Sequence, residues 1–152
     1  MNNSPKFAAD FMLGKTAKAL RLLGIDTIYI REPDRKKLFE IALKEGRIIL
    51  TRAHNLPKND KIFVLKSEKV DEQIKEIIEK FKPVLKPFTR CIECNTKLQI
   101  VDKSKVKGKV PFFVYQTHEE FAYCPNCDKY YWEGTHYEVL EKRVKKWLSY
   151  SS

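Results

Sequence analysis

Four residues carry the plainest chemistry in this chain: Cys91, Cys94, Cys124 and Cys127. They form two CxxC pairs, CIEC and CPNC, with about thirty residues between them, and the chain has no other cysteine. Each pair turns tightly enough for both sulfurs to face one ion, so two such pairs predict a tetrahedral thiolate site for Zn²⁺. Four thiolates close the coordination shell, which makes the expected zinc structural rather than catalytic. The alternatives are two disulfides or free thiols, and a reducing compartment disfavours disulfides. His118 and His136 have ligand chemistry, but the shell is already filled, so both read as surface or RNA-facing polar groups.

A second set of reactive groups is acidic. Asp10 follows the short apolar segment KFAA (6–9) and precedes a helical pattern. Asp34 closes the turn EPD and also precedes a helix. As N-caps, each would stabilise its helix by about 1 kcal/mol. Their other role depends on topology. Carboxylates gathered at one sheet edge repel one another unless a divalent cation neutralises them, and Mg²⁺ or Mn²⁺ prefers such oxygen ligands. A metal there activates water for attack on a phosphate. The run RIILTRAHN (47–55) belongs to the same set. Ile48, Ile49 and Leu50 predict a buried strand, and ligands of open α/β sheets bind beyond the carboxyl ends of strands. Ala53 lies at such an end, where a reactive group is expected.

The elements that must position these groups alternate. Strands are predicted at 6–9, 25–30, 47–51 and 61–65, and amphipathic helices at 11–23, 35–45 and 70–81. Gly24 and Gly46 stop the first two helices. This alternation implies a parallel sheet with helices on its faces. It ends at KPVLKPF (82–88), where two prolines suggest a linker, so a boundary is placed near residue 88. The second module, 89–152, is too small to fold around a large core without its metal. Strands are expected at 97–102, 111–116 and 129–134, giving a zinc ribbon, with a short basic helix at 138–148. Tyr130, Tyr131 and Trp132 either stack on unpaired bases or pack this small core.

Charge narrows the partner. The chain of 152 residues has 30 Lys and Arg against 20 Asp and Glu, a net charge of +10. Such an excess points to a polyanion, nucleic acid first, or else to a plain basic surface. Lys15, Arg21 and Arg52, near the acidic positions, are either phosphate contacts or solvated cations, since surface ion pairs contribute little. No apolar run approaches the roughly 20 residues needed to span a bilayer, and the N-terminal residues have no signal-peptide pattern. A cytoplasmic location is expected. Abundant Glu, Lys and Ile give a compositional hint of heat adaptation.

The segments KFAADFMLGKTAKALRLLGIDT, EGRIILTR, RCIECNTKL, YCPNC and KYYWEGTHY resemble the Mut7-C family over nearly the whole chain. The most specific pieces are Asp10-x-Met12-Leu13-Gly14-Lys15, Gly46-Arg47 through Thr51-Arg52, and Tyr131-Trp132-x-Gly134-x-His136. The resemblance implies a PIN-like three-layer α/β/α fold with a zinc ribbon and metal-dependent endoribonuclease activity. Asp10 and Asp34 then match the family's acids, as holders of Mg²⁺ or Mn²⁺. Lys15, Arg21, Arg52 and His136 are, from their own chemistry and position, the residues expected on the RNA. The departure is Ala53, where the family pattern has aspartate after the Thr-Arg pair. Either the alanine is natural and the nuclease is weakened or inactive, or it was introduced to disable the site. His54 and Asp60 are the nearby groups that could substitute, but His54 would point to the opposite side of an extended segment. The other readings are a non-catalytic protein binding RNA, the ribosome or another ribonucleoprotein, and a protein–protein adaptor built on the ribbon. Oligomeric state does not follow from the sequence.

Overall fold

The computed structural model describes residues 4–151. Its first half is built on a parallel sheet of four short strands: Phe7–Ala9 (β1), Thr27–Tyr29 (β2), Ile48–Thr51 (β3) and Ile62–Val64 (β4), in the order β2-β1-β3-β4. Parallel pairing requires crossovers: helices Gly14–Leu22 (α1) and Arg35–Glu45 (α2) supply the first two, and the irregular segment 52–61 joins β3 to β4. Side chains alternate across the sheet. Phe7, Ala9 and Leu50 enter the large core with α1 and with helix Val70–Phe81 (α3). Ala8 and Ile49 enter the smaller core under α2, with Leu38 and Ala42. β1 is buried along its whole length because both of its faces are covered.

Helix ends follow local chemistry. α2 begins where the Asp34 carboxylate accepts the Lys37 N–H at 3.0 Å, and ends at Gly46 in the left-handed region, φ 65°. α3 stops at Lys82, because Pro83 disfavours a helical residue before it. The first helix starts later than its periodicity suggests. Residues Phe11–Leu13 form a 3-10 turn, tightened where Asp10 accepts the Leu13 and Phe11 N–H groups, and α1 follows.

The proline-rich segment 82–88 is strapped down rather than loose. Lys86 and Phe88 donate backbone hydrogen bonds to Leu23 and Leu22. The approach is close enough that a Cβ on Gly24 would lie 2.1 Å from the Lys86 carbonyl oxygen, and Gly24 also has φ 82°.

The second half contains an antiparallel sheet of Gln99–Val101 (β5), Phe121–Cys124 (β6) and Lys129–Tyr131 (β7). Helix Phe112–Thr117 (α4) replaces the strand expected at 111–116. A short apolar run does not separate strand from helix by periodicity. Pro111 leads into the helix, which turns Val114 and Tyr115 toward the small core of Val106, Val110 and Phe121. The last helix, Thr135–Leu148 (α5), is longer than expected and packs away from that small core. Val144 and Trp147 are buried in the large core, where Trp147 Nε1 donates to Asp71 of α3 at 2.8 Å. The C-terminal helix thus completes the core of the parallel-sheet half. Among the described residues no helix is long and apolar enough to cross a membrane.

Candidate functional site

Two polar centres form, and they differ in how charge is compensated. In the first, the ligand atoms of Cys91, Cys94, Cys124 and Cys127 all lie within 4.8 Å of one another. Cys91 and Cys127 sulfurs are 3.8 Å apart, and Cys94 and Cys124 sulfurs 3.4 Å. A zinc–sulfur bond of about 2.3 Å gives a tetrahedral edge of about 3.8 Å, so the four sulfurs fit one Zn²⁺. These separations are far beyond a disulfide bond of about 2 Å. The knuckles turn at Asn95 (φ 77°) and Asp128 (φ 53°), two residue types that tolerate left-handed backbone. The Tyr131 hydroxyl lies 3.1 Å from Cys91 Sγ, and the Cys127 N–H donates to Cys124 Sγ.

The thiols are poised unevenly. Burial raises Cys94, but hydrogen bonding with Thr96, Asn126 and Cys124 outweighs it and brings the thiol down to about 6. Hydrogen bonding to Cys94, followed by burial, pushes Cys127 up to about 12. Four neighbouring sulfurs cannot all carry charge unless a cation joins them.

The first knuckle is docked on the parallel sheet. The Asn95 side chain accepts the Thr27 N–H at 2.9 Å and donates to Asp26 at 2.7 Å. Asp26 in turn pairs with Arg47 at 2.7 Å. Arg21, expected on RNA, is placed otherwise. It is 7% exposed, and its guanidinium donates to the carbonyls of Thr27, Ile92 and Glu93. Every one of these partners is protein backbone, so Arg21 joins the knuckle to the sheet.

The second centre lies at the carboxyl ends of β1 and β3, where strand order reverses, as expected for a binding crevice. Asp10 is 2% exposed. Its Oδ1 accepts from the Phe11 N–H at 2.9 Å and Arg35 Nε at 3.2 Å. Its Oδ2 accepts from Thr51 Oγ1 at 2.7 Å and meets Arg35 Nη2 at 2.9 Å. The Thr51 hydroxyl also accepts the Ala53 N–H at 3.1 Å, so one hydroxyl joins Asp10 to position 53. The exposed Asp34 carboxylate caps α2, and the next residue, Arg35, reaches Asp10.

The acceptor positions of Asp10 are therefore occupied by protein donors, position 53 has no ligand atom, and Asp34 bonds its own helix. This arrangement does not fit a divalent cation. Among the described residues, the cysteines are the one group of three or more His, Cys, Asp or Glu side chains placed to share an ion.

The remaining expected residues are scattered. Lys15 is exposed on the first turn of α1. Arg52 donates to the Lys66 carbonyl at 3.3 Å, while its buried Nε has no partner among the described residues. His54 and Asp60 are exposed. His136 is exposed in the first turn of α5. Tyr130 and Trp132 pack against the small core, and Tyr131 contacts Cys91. Sequence reasoning missed Arg35. The available signal was Arg35-Lys36-Lys37 in the first turn of α2, with no acid there, against the preference of a helix N-terminus for negative charge.

Comparisons with known proteins bear on both centres. Neither the curated proteins nor the solved structures yielded a match. The family model of the Mut7-C RNAse domain matches residues 5–144, a span that includes Asp10, the Thr51-Arg52-Ala53 run and all four cysteines. With that match over nearly its whole length, the chain belongs to the Mut7-C family.

Proposed function

We propose that this chain is a PIN-type, RNA-directed nuclease domain whose hydrolytic centre is disabled in this sequence, leaving a protein that engages RNA, free or in a ribonucleoprotein such as the ribosome. The RNAse-family match supports a nuclease-type chain with RNA as its substrate class. The observation that carries the proposal is the link from Asp10 through Thr51 to Ala53, with Arg35 seated on Asp10. Arg35 supplies the positive charge that a buried carboxylate needs. An aspartate at position 53 would add a second carboxylate to a residue whose backbone N–H is already joined to Asp10 through the Thr51 hydroxyl. Two such groups would not both ionise without a further cation. The cysteines hold a structural Zn²⁺, and a cytoplasmic setting keeps them reduced.

The test compares the chain carrying Ala53 with Ala53→Asp, and with Ala53→Asp combined with Arg35→Gln. Labelled single-stranded RNA is incubated with Mg²⁺ or Mn²⁺, and Mn²⁺ binding is titrated separately. The original protein should bind RNA without divalent-stimulated cleavage. Ala53→Asp should gain Mn²⁺ affinity and cleavage, more so with Arg35→Gln. Divalent-dependent cleavage by the original protein, abolished by Asp10→Asn, would overturn the disabled reading. It would favour a working endoribonuclease in which Asp10 and Asp34 hold the metal. If Ala53→Asp binds Mn²⁺ yet cleaves nothing, position 53 is not catalytic.

A further inference from the structure

Residues 97–113, between the two cysteine pairs, take no part in either centre. They contain five lysines (97, 103, 105, 107 and 109) and one acid, Asp102. The loop is held in place. Lys105 donates to the Asp102 carbonyl, Val106 to that of Lys103, and Lys109 to that of Val106. Val106 and Val110 are buried, so they anchor the loop from inside and leave Lys105, Lys107 and Lys109 exposed. Among the described residues, none of these three lysines has a carboxylate within 4.0 Å; Lys103 is paired, with Glu119 at 3.0 Å.

Directly after this loop, α4 begins with Phe112 and Phe113, 70% and 72% exposed. The same short helix turns Val114 and Tyr115 into the small core, so it had inward positions available and they are filled. Exposed aromatic rings beside a row of unpaired cations need a partner that is both anionic and flat-faced. Unpaired nucleotides are such a partner: phosphates meet the lysines, and bases stack on the rings regardless of sequence. A duplex keeps its bases stacked inside and offers the rings nothing.

We infer that the loop of Lys105, Lys107 and Lys109, together with Phe112 and Phe113, is a sequence-tolerant binding surface for single-stranded RNA. The inference rests on the reading of this chain as an RNA-directed protein and assigns that contact to the ribbon rather than to the acidic pocket. Membrane-surface helices present a long apolar stripe, whereas α4 spans only Phe112–Thr117.

The experiment uses the full zinc-loaded chain and a fluorescent oligouridylate, with affinity measured across a salt series. Phe112→Ala/Phe113→Ala should lose about tenfold or more in affinity with an unchanged salt slope, because stacking is not ionic. Lys105→Gln/Lys107→Gln/Lys109→Gln should weaken binding and flatten the log–log salt slope by about 2, at about 0.7 per phosphate contact. Zinc content and circular dichroism should match the parent, since all five side chains are exposed. If both variants bind as tightly as the parent, the surface is wrong while the RNA reading stands. Failure of the parent itself to bind any RNA would overturn both. Two further results would overturn the surface in favour of another occupant. One is tighter binding to phosphatidylserine vesicles than to RNA, lost in the same variants. The other is a parent dimer that Phe112→Ala/Phe113→Ala dissociates.

Discussion

The cysteine cluster and the acidic pocket are assembled alike and compensated differently. Each gathers groups from distant segments: Cys91 with Cys127, Asp10 with Thr51 and Arg35. At the cysteines, among the described residues no cationic side chain hydrogen-bonds a sulfur; their partners are one another, Thr96, Asn126, Tyr131 and the Cys127 N–H. At Asp10, a guanidinium, a hydroxyl and a backbone N–H satisfy both oxygens. A buried anionic group must meet positive charge from an ion or from the chain. The cysteine cluster is placed to obtain it from an ion, and the pocket already has it from Arg35.

Removing the ion should separate the two centres most sharply. Chelation, or Cys124→Ser, should melt the ribbon, since apparent zinc-binding energies of small modules are of order 10 kcal/mol. Near-UV circular dichroism of the aromatic-rich second half would report it. Survival of that signal in strong chelator would break the contrast. Asp10→Ala should cost about 2 to 3 kcal/mol in urea unfolding, the low end for a severed buried pair because Arg35 is 29% exposed. That loss should be the same with and without divalent cations.

Asp26, where the knuckle meets the sheet, sharpens the comparison through pH. Burial pushes its carboxyl up, but hydrogen bonds from Asn95 and Arg47 outweigh burial and hold it below the ordinary range. A group whose pKa is lower folded than unfolded adds stability above its unfolded value. That stability disappears as pH falls through the folded value. Acid should therefore loosen the docking of the knuckle on β2, and Asp26→Asn should flatten this acid limb of a stability–pH profile, at a cost of about 1 to 2 kcal/mol near neutrality. The smallest effect belongs to Asp34→Ala, about 1 kcal/mol for a lost helix cap. If the same change also lowered Mn²⁺ affinity in an Ala53→Asp background, Asp34 would be more than a cap.

Local signals were read well where local chemistry is decisive. Helices 35–45 and 70–81 have the predicted bounds because a cap, a glycine and a Lys-Pro step mark their ends. The two CxxC pairs announced their own convergence, since four thiols have few other ways to be satisfied together. The helix at 112–117 was misread because four apolar residues in a row suit either element, and only the small core chose between them. The burial of Trp147 against α3 lay beyond the reach of a local pattern, because the amphipathic face of α5 does not say which core it will join.

By itself, the sequence determined the alternating α/β order, the two pairs of thiols and the basic character of the chain. Periodicity, spacing and residue type are properties of the chain and survive unfolding. Tertiary structure alone decided that Arg35 sits on Asp10, that Arg21 binds carbonyls instead of phosphate, and that the last helix returns to the first core. Those outcomes depend on which groups three dimensions place within a hydrogen bond of one another, and a buried charge takes the partner that geometry supplies.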